Sequence, residues 1–114
     1  MNEAEFKQIF DFLNLLADTS KKITLHGFLL HKSLQIKDDK SPVTEFDIKA
    51  EKIICKLISE KFPDHSILAE EGESKKLDSD YTWILDPIDG TRSFIIGRPL
   101  WGTLICLAKK AKKI

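Results

Sequence analysis

Asp86 and Asp89 stand three residues apart in the run Trp83-Ile84-Leu85-Asp86-Pro87-Ile88-Asp89-Gly90-Thr91-Arg92-Ser93-Phe94. Two carboxylates this close, followed by a glycine and a hydroxyl, suit a hard cation together with a phosphate. The apolar residues Trp83, Ile84 and Leu85 read as a buried strand. Pro87 has no amide hydrogen and pushes the residue before it into an extended conformation, so the strand is predicted to stop with Asp86 at its carboxyl end. Gly90 permits a turn that a side chain would obstruct. Asp89 or Thr91 then caps a new helical turn whose free amides point outward. On its own, Asp-x-x-Asp-Gly also describes an ordinary turn; acids elsewhere in the chain favour chemistry.

Those acids fall at the ends of predicted elements. Asp47 lies in the first turn of a helix, Glu70 at the end of one strand, and Asp86 and Asp89 at the end of the next. If the two strands are neighbours, Glu70 and Asp86 meet at one sheet edge. With the backbone carbonyl of Ile88 they make an all-oxygen donor set, which favours magnesium, with manganese as the alternative, over zinc or copper. The Thr91 hydroxyl could orient a metal-bound water, with Asp47 behind it as acceptor; a bound metal lowers that water's pKa. The amides of Gly90 and Thr91 could hold the phosphate. Together these parts describe metal-assisted hydrolysis of a phosphate ester. Phosphatases of the haloacid-dehalogenase type also carry an Asp-Gly-Thr stretch, but their nucleophilic Asp occupies the place of Pro87, which speaks against a phospho-aspartate. No Gly-x-x-x-x-Gly-Lys loop is present, so a P-loop nucleotide hydrolase is excluded.

The elements that must position these residues can be read in order. Residues 3–31 are predicted as a helix, with Phe6, Ile9, Phe10, Leu13, Leu16 and Ala17 on its core face, widened by Phe12 and Leu15, and with Gly27 weakening its far end. His26 and His31 read as solvated or capping residues rather than ligands. Residues 34–37 alternate as a short strand, and residues 38–42 form a polar loop. Thr44 opens a second helix with Asp47 in capping-box position; Ala50, Ile54, Leu57, Ile58 and Phe62 make its apolar face, and Pro63 ends it. Strands are predicted at 65–69, 81–85 and 101–107, a helical turn at 91–96 and a loop at 97–99, with a mobile polar connection at 74–80.

The 114 residues suit one small domain, and 42% apolar residues are enough for a core. Eighteen basic and eighteen acidic side chains balance to zero formal charge, which gives no footing for nucleic acid or a membrane surface. Cys55 and Cys106 read as buried small apolar groups, not a disulfide framework. The acidic start Met1-Asn2-Glu3-Ala4-Glu5 and the lack of a membrane-length apolar run lead to the expectation of a cytoplasmic chain.

The run Asp86-Pro87-Ile88-Asp89-Gly90-Thr91 resembles the first signature of the inositol monophosphatase family. Ser41-Pro42-Val43-Thr44-Glu45-Phe46-Asp47, Ile67-Leu68-Ala69-Glu70-Glu71-Gly72 and Trp83-Ile84-Leu85 agree with that family in order and spacing. The resemblance covers about residues 5–107. It implies a layered α/β sandwich of the α+β kind, here two long helices packed on a mainly antiparallel sheet. It implies a magnesium-dependent phosphomonoesterase acting on a small phosphorylated metabolite, with Glu70, Asp86, Asp89 and the Ile88 carbonyl on the metal. Asp47, Thr91 and Glu70 are then catalytic, and Gly90 and Thr91 meet the substrate phosphate. Residues 93–105 are more similar to the histidinol-phosphatase branch than to inositol-specific members; histidinol phosphate and inositol phosphate lead the substrates the resemblance implies, with a sugar phosphate and a nucleotide-derived 3′-phosphate open beside them. The family's second signature, of Trp-Asp-x-Ala-Ala-Gly type, has no counterpart here. The chain is therefore expected to be truncated: residues 1–107 form the N-terminal metal-binding portion and residues 108–114 a basic tail outside the family fold. Such a chain alone should be inactive or weakly active, and should self-associate or bind a complementary C-terminal half. The rival reading is a non-catalytic remnant, the partner-binding half of a split phosphatase.

Overall fold

The structure, a computed structural model, describes residues 2–29, 34–36, 42–72, 74–95, 97 and 101–110. The expectations placed on His31, on residues 37–41, on Ile96, on residues 98–100 and on residues 111–114 lie outside these. In order, the described residues form α1 (Glu3–Leu29), β1 (Leu34–Ile36), β2 (Pro42–Thr44), α2 (Glu45–Lys61), β3 (Ser66–Ala69), β4 (Tyr81–Asp89), α3 (Thr91–Ile95) and β5 (Gly102–Lys109). β1 and β2 pair antiparallel as a two-stranded unit. The first of these is the strand expected at 34–37; Pro42, expected in the polar loop, begins the second.

The main sheet has the order β3-β4-β5, with β4 parallel to β3 and antiparallel to β5. Its register sorts the side chains by face. Ile67, Trp83 and Leu107 form one row, and Ala69, Leu85 and Ile105 another; both point toward the helices. Phe12 and Leu16 of α1 and Ile54 and Ile58 of α2 close over them as one core. Trp83 is the centre of this core: fully buried, it lies 5.6 Å from the Phe12 ring and 5.9 Å from the Phe62 ring. Its indole Nε1–H donates to His65 Nδ1 at 3.0 Å, meeting a polar group that burial would otherwise penalise.

The buried stripe of α1 is Phe12, Leu16, Ser20, Thr24 and Gly27, rotated from the expected face. Phe6 and Phe10, expected inside, are 64% and 55% exposed, because the sheet lies beneath the middle and far parts of the helix. Gly27 is a close-packing position: a Cβ there would come within 2.7 Å of Phe46 Cδ1. The expected apolar face of α2 is observed, with Ala50, Ile54 and Ile58 buried and Leu57 and Phe62 packed at its margin.

Two further expectations are corrected. The connection after β3 is held in place, since Ile67 and Lys75 exchange backbone hydrogen bonds at 2.7 and 2.8 Å and Ser66 Oγ bonds to Leu77 in both directions. These bonds cover the outer edge of β3. Cys106 is exposed, in a row with Leu68 and Ile84 on the face turned away from the helices, and Cys55 is half-buried. No helix among the described residues is long and apolar enough to cross a membrane.

Candidate active site

Thr44 sits in an extended conformation directly before α2, and its hydroxyl accepts from the amides of Phe46 and Asp47. The Asp47 carboxylate reaches back: Oδ1 accepts from the Thr44 amide at 2.7 Å and from the Thr44 hydroxyl. This is the expected capping box, and it leaves Asp47 fully buried with its other oxygen unused by the helix. That oxygen, Oδ2, lies 3.3 Å from Thr91 Oγ1, at the start of α3. The Thr91 hydroxyl is also within 3.0 Å of the Ile88 carbonyl. Asp47, Thr91 and the Ile88 carbonyl, separated in the chain, are thus in direct contact.

β4 does not stop at Asp86; it runs on to Asp89. Asp86 faces Leu104 and Asp89 faces Gly102 across the sheet, so β4 carries one more residue than β5 between these pairs. The extra residue makes a bulge that absorbs Pro87, whose missing amide costs no ladder bond there. The Thr103 hydroxyl caps the Pro87 carbonyl at 2.7 Å. Beyond the bulge, Gly90 takes φ = 90°, the left-handed region that favours glycine, and α3 starts. Phe94 anchors that turn from below, fully buried with its ring 5.0 Å from Trp101.

The parallel register of β3 and β4 pairs Ala69 with Leu85. Glu70 follows the last paired residue of β3 and Asp86 follows its partner on β4, so the two acids leave this register at the same end of the sheet. Glu70 is exposed, Asp86 half-buried and Asp89 exposed. Among the described residues, no three His, Cys, Asp or Glu side chains stand together as a group that could hold a metal. The donors fit a hard divalent cation by type, all being oxygen.

Sequence reasoning missed Glu51. One turn beyond Asp47 on α2, it is 2% exposed, and its carboxylate accepts from the Glu71 amide at 2.8 and 3.0 Å and from the Gly72 amide. Burial pushes the Glu51 carboxyl above its ordinary value, and the amides of Glu71, Gly72 and Glu70 pull against that. The signal was in the spacing: Asp47 and Glu51 interrupt the same stripe as Ala50, Ile54 and Ile58.

Comparison with known proteins places the chain in a family. A model of the inositol monophosphatase family matches residues 7–114. The chloroplastic bifunctional phosphatase IMPL2 of Arabidopsis thaliana is 40% identical over 100% of this chain and 34% of its own length. The histidinol-phosphatase of Chlorobaculum parvum is 48% identical over 81% of this chain and 36% of its own. Among solved structures, the extragenic suppressor protein suhB of Bartonella henselae superposes with a TM-score of 0.83 at 28% identity, over 92% of this chain and 42% of that one. The fold is that of the inositol monophosphatases, helices layered on a sheet, of which the chain matches the N-terminal portion. The chain belongs to the inositol monophosphatase family. It spans about a third of the length of the curated relatives it matches.

Proposed function

We propose that this chain supplies the water-activating half of a magnesium-dependent phosphomonoesterase site. What supports the reading is the Thr91 Oγ1 to Asp47 Oδ2 hydrogen bond, 3.3 Å long and made between residues 44 positions apart. The one Thr91 proton has two acceptors, the Ile88 carbonyl at 3.0 Å and Asp47 Oδ2 at 3.3 Å; when it turns to Asp47, Thr91 Oγ1 can accept from a water at the sheet end where Glu70 and Asp86 lie. Thr91 takes up the water's proton as its own moves to Asp47 Oδ2; Glu70 is the second acceptor for that water. The water oxygen bonds to phosphorus, the P–O ester bond breaks, and the departing alkoxide takes up a proton from a solvent water. Glu70, Asp86, Asp89 and the Ile88 carbonyl would hold magnesium, or manganese, which when bound acidifies water and neutralises phosphate charge. The amides of Gly90 and Thr91 meet the phosphate. Likeness to the Chlorobaculum histidinol-phosphatase favours histidinol phosphate over inositol phosphate as substrate. The 114-residue chain alone turns over slowly, because relatives draw on about twice as much further chain.

The test is phosphate release from histidinol phosphate and inositol 1-phosphate with magnesium, by the chain alone and with the remainder of a relative added. Added remainder should raise the rate, and Thr91→Val should lower it roughly 10²-fold or more. Equal rates in Thr91→Val and the parent, or no release from either mixture, would refute the reading. A second, non-catalytic reading is a half that binds a partner, favoured by the open sheet face, where Leu68 and Leu104 are each 54% exposed. Binding of the remainder without phosphate release would establish that one instead.

A further inference from the structure

Glu51 breaks the apolar stripe of α2 at a place where a leucine would stabilise the core. A buried carboxylate is costly unless its oxygens are met by donors. The donors that meet Glu51 are backbone amides of the segment leaving β3, those of Glu71 and Gly72, with Glu70 contributing. Gly72 belongs to the same arrangement: a Cβ there would lie 2.9 Å from Glu51 Oε1, so a side chain would push the backbone off the carboxylate. The far side of the segment is tied as well, with Ser74 Oγ accepting from the Ala69 amide at 3.0 Å. The carboxylate thus orders a few residues whose chemistry-bearing side chains are Glu70 and Glu71.

We propose that Glu51 is a positioning residue: by gathering the amides of residues 70–72 it fixes where the chain turns off β3 and so sets Glu70 beside Asp86. This rests on the metal-site reading above. One helix then aims both parts of the site, Asp47 holding Thr91 and Glu51, one turn on, holding the Glu70 segment. Partners that orient a ligand from behind are worth about 10–100-fold in metal affinity.

The experiment compares the parent chain with Glu51→Gln, which keeps size but turns an NH₂ toward the amides, and with Gly72→Ala. Amide hydrogen exchange at residues 70–72 and Mn²⁺ binding by water proton relaxation are the readouts, with a thermal melt as the check on folding. Both variants should exchange these amides at least about tenfold faster, bind Mn²⁺ about tenfold more weakly and keep a cooperative melt. Unchanged exchange at 70–72, or faster exchange with Mn²⁺ affinity intact, overturns the proposal. If Glu51→Gln fails to fold, Gly72→Ala decides by the same two readouts. A parent chain that binds no Mn²⁺ sinks the metal-site reading, and the exchange rates then decide whether Glu51 holds the segment.

Discussion

Thr44 ties the stability of α2 to the placement of Asp47, so Thr44→Val should register in both. Valine keeps the shape and removes the hydroxyl. The amides of Phe46 and Asp47 then lose their acceptor, a capping loss worth about 1 kcal/mol. Asp47 Oδ1 loses one of its two donors in a fully buried setting; the Thr44 amide at 2.7 Å remains, so the further cost is about 1–2 kcal/mol rather than that of an orphaned charge. The total is about 2–3 kcal/mol, and for a domain of this size that lowers the melting midpoint by roughly 10 °C. Thr44→Ser keeps every hydrogen bond and gives up one buried methyl, costing about 0.5–1 kcal/mol. Circular dichroism melts of the three proteins at one concentration are the assay. A Thr44→Val midpoint within about 2 °C of the parent, or a Thr44→Ser drop as large as the valine one, would refute the capping argument. Combining Thr44→Val with Thr91→Val tests the link onward: because both residues bond Asp47, their effects should depart from additivity by about 0.5 kcal/mol or more.

Other outcomes follow from the same packing. Gly27→Ala gains about 1 kcal/mol of helix propensity but drives a methyl into the Phe46 ring, an overpacking cost of about 1–3 kcal/mol; a net loss is expected, and a raised melting midpoint would show that Phe46 yields freely. His65 is held below its ordinary pKa by burial, with Asp64 opposing, so the unfolded chain binds the proton more readily; stability should be intact above about pH 6.5 and fall as pH drops below it. Melts at successive pH values should lose that slope in His65→Gln, and a slope kept in the variant would assign it to other groups. Leu104→Glu, on the face turned from the helices, should shift the chain toward monomer in sedimentation velocity, and unchanged association would place the contact elsewhere.

The parts of this fold legible in the sequence are those fixed by local rules. Thr44 and Asp47 follow a spacing whose hydrogen bonds close within one turn, and the helix begins where that spacing says. Trp83 and Leu85 point to the core because strand period fixes them relative to each other. The rotated face of α1 was not legible. Phe6, Phe10, Phe12 and Leu16 offer two overlapping apolar stripes, and the choice between them depends on where the sheet ends, which is a tertiary matter. The bulge at Pro87 was hidden for a related reason. A proline ends a strand by its own chemistry, yet here the partner strand simply skips a residue, and the Thr103 hydroxyl meets the carbonyl that the ladder misses.

Local pattern and global fold disagree most sharply on α2, and the disagreement carries information. A helix that packs on a sheet is expected to be apolar along its buried stripe, yet Asp47 and Glu51 are both buried there. Neither acid is stranded. Each is met by donors that belong to another part of the chain as well as, for Asp47, to its own cap. A sequence selected for stability alone would replace Glu51 by a leucine or isoleucine, because a hydrophobic side chain avoids the desolvation that even a well-met carboxylate suffers. Departures of this kind, where a local rule is broken and compensating bonds reach beyond the helix to other segments, are expected where a fold carries a functional site. The same test reads Ser20 and Thr24 differently: they too lie in a buried stripe, but among the described residues the Thr24 hydroxyl bonds back to the Ser20 carbonyl of its own helix at 3.1 Å and the Ser20 hydroxyl meets no partner. Polar burial that stays within one helix asks for no site; polar burial that reaches across the fold to Thr91 and to the Glu70 segment is what the proposed site would need.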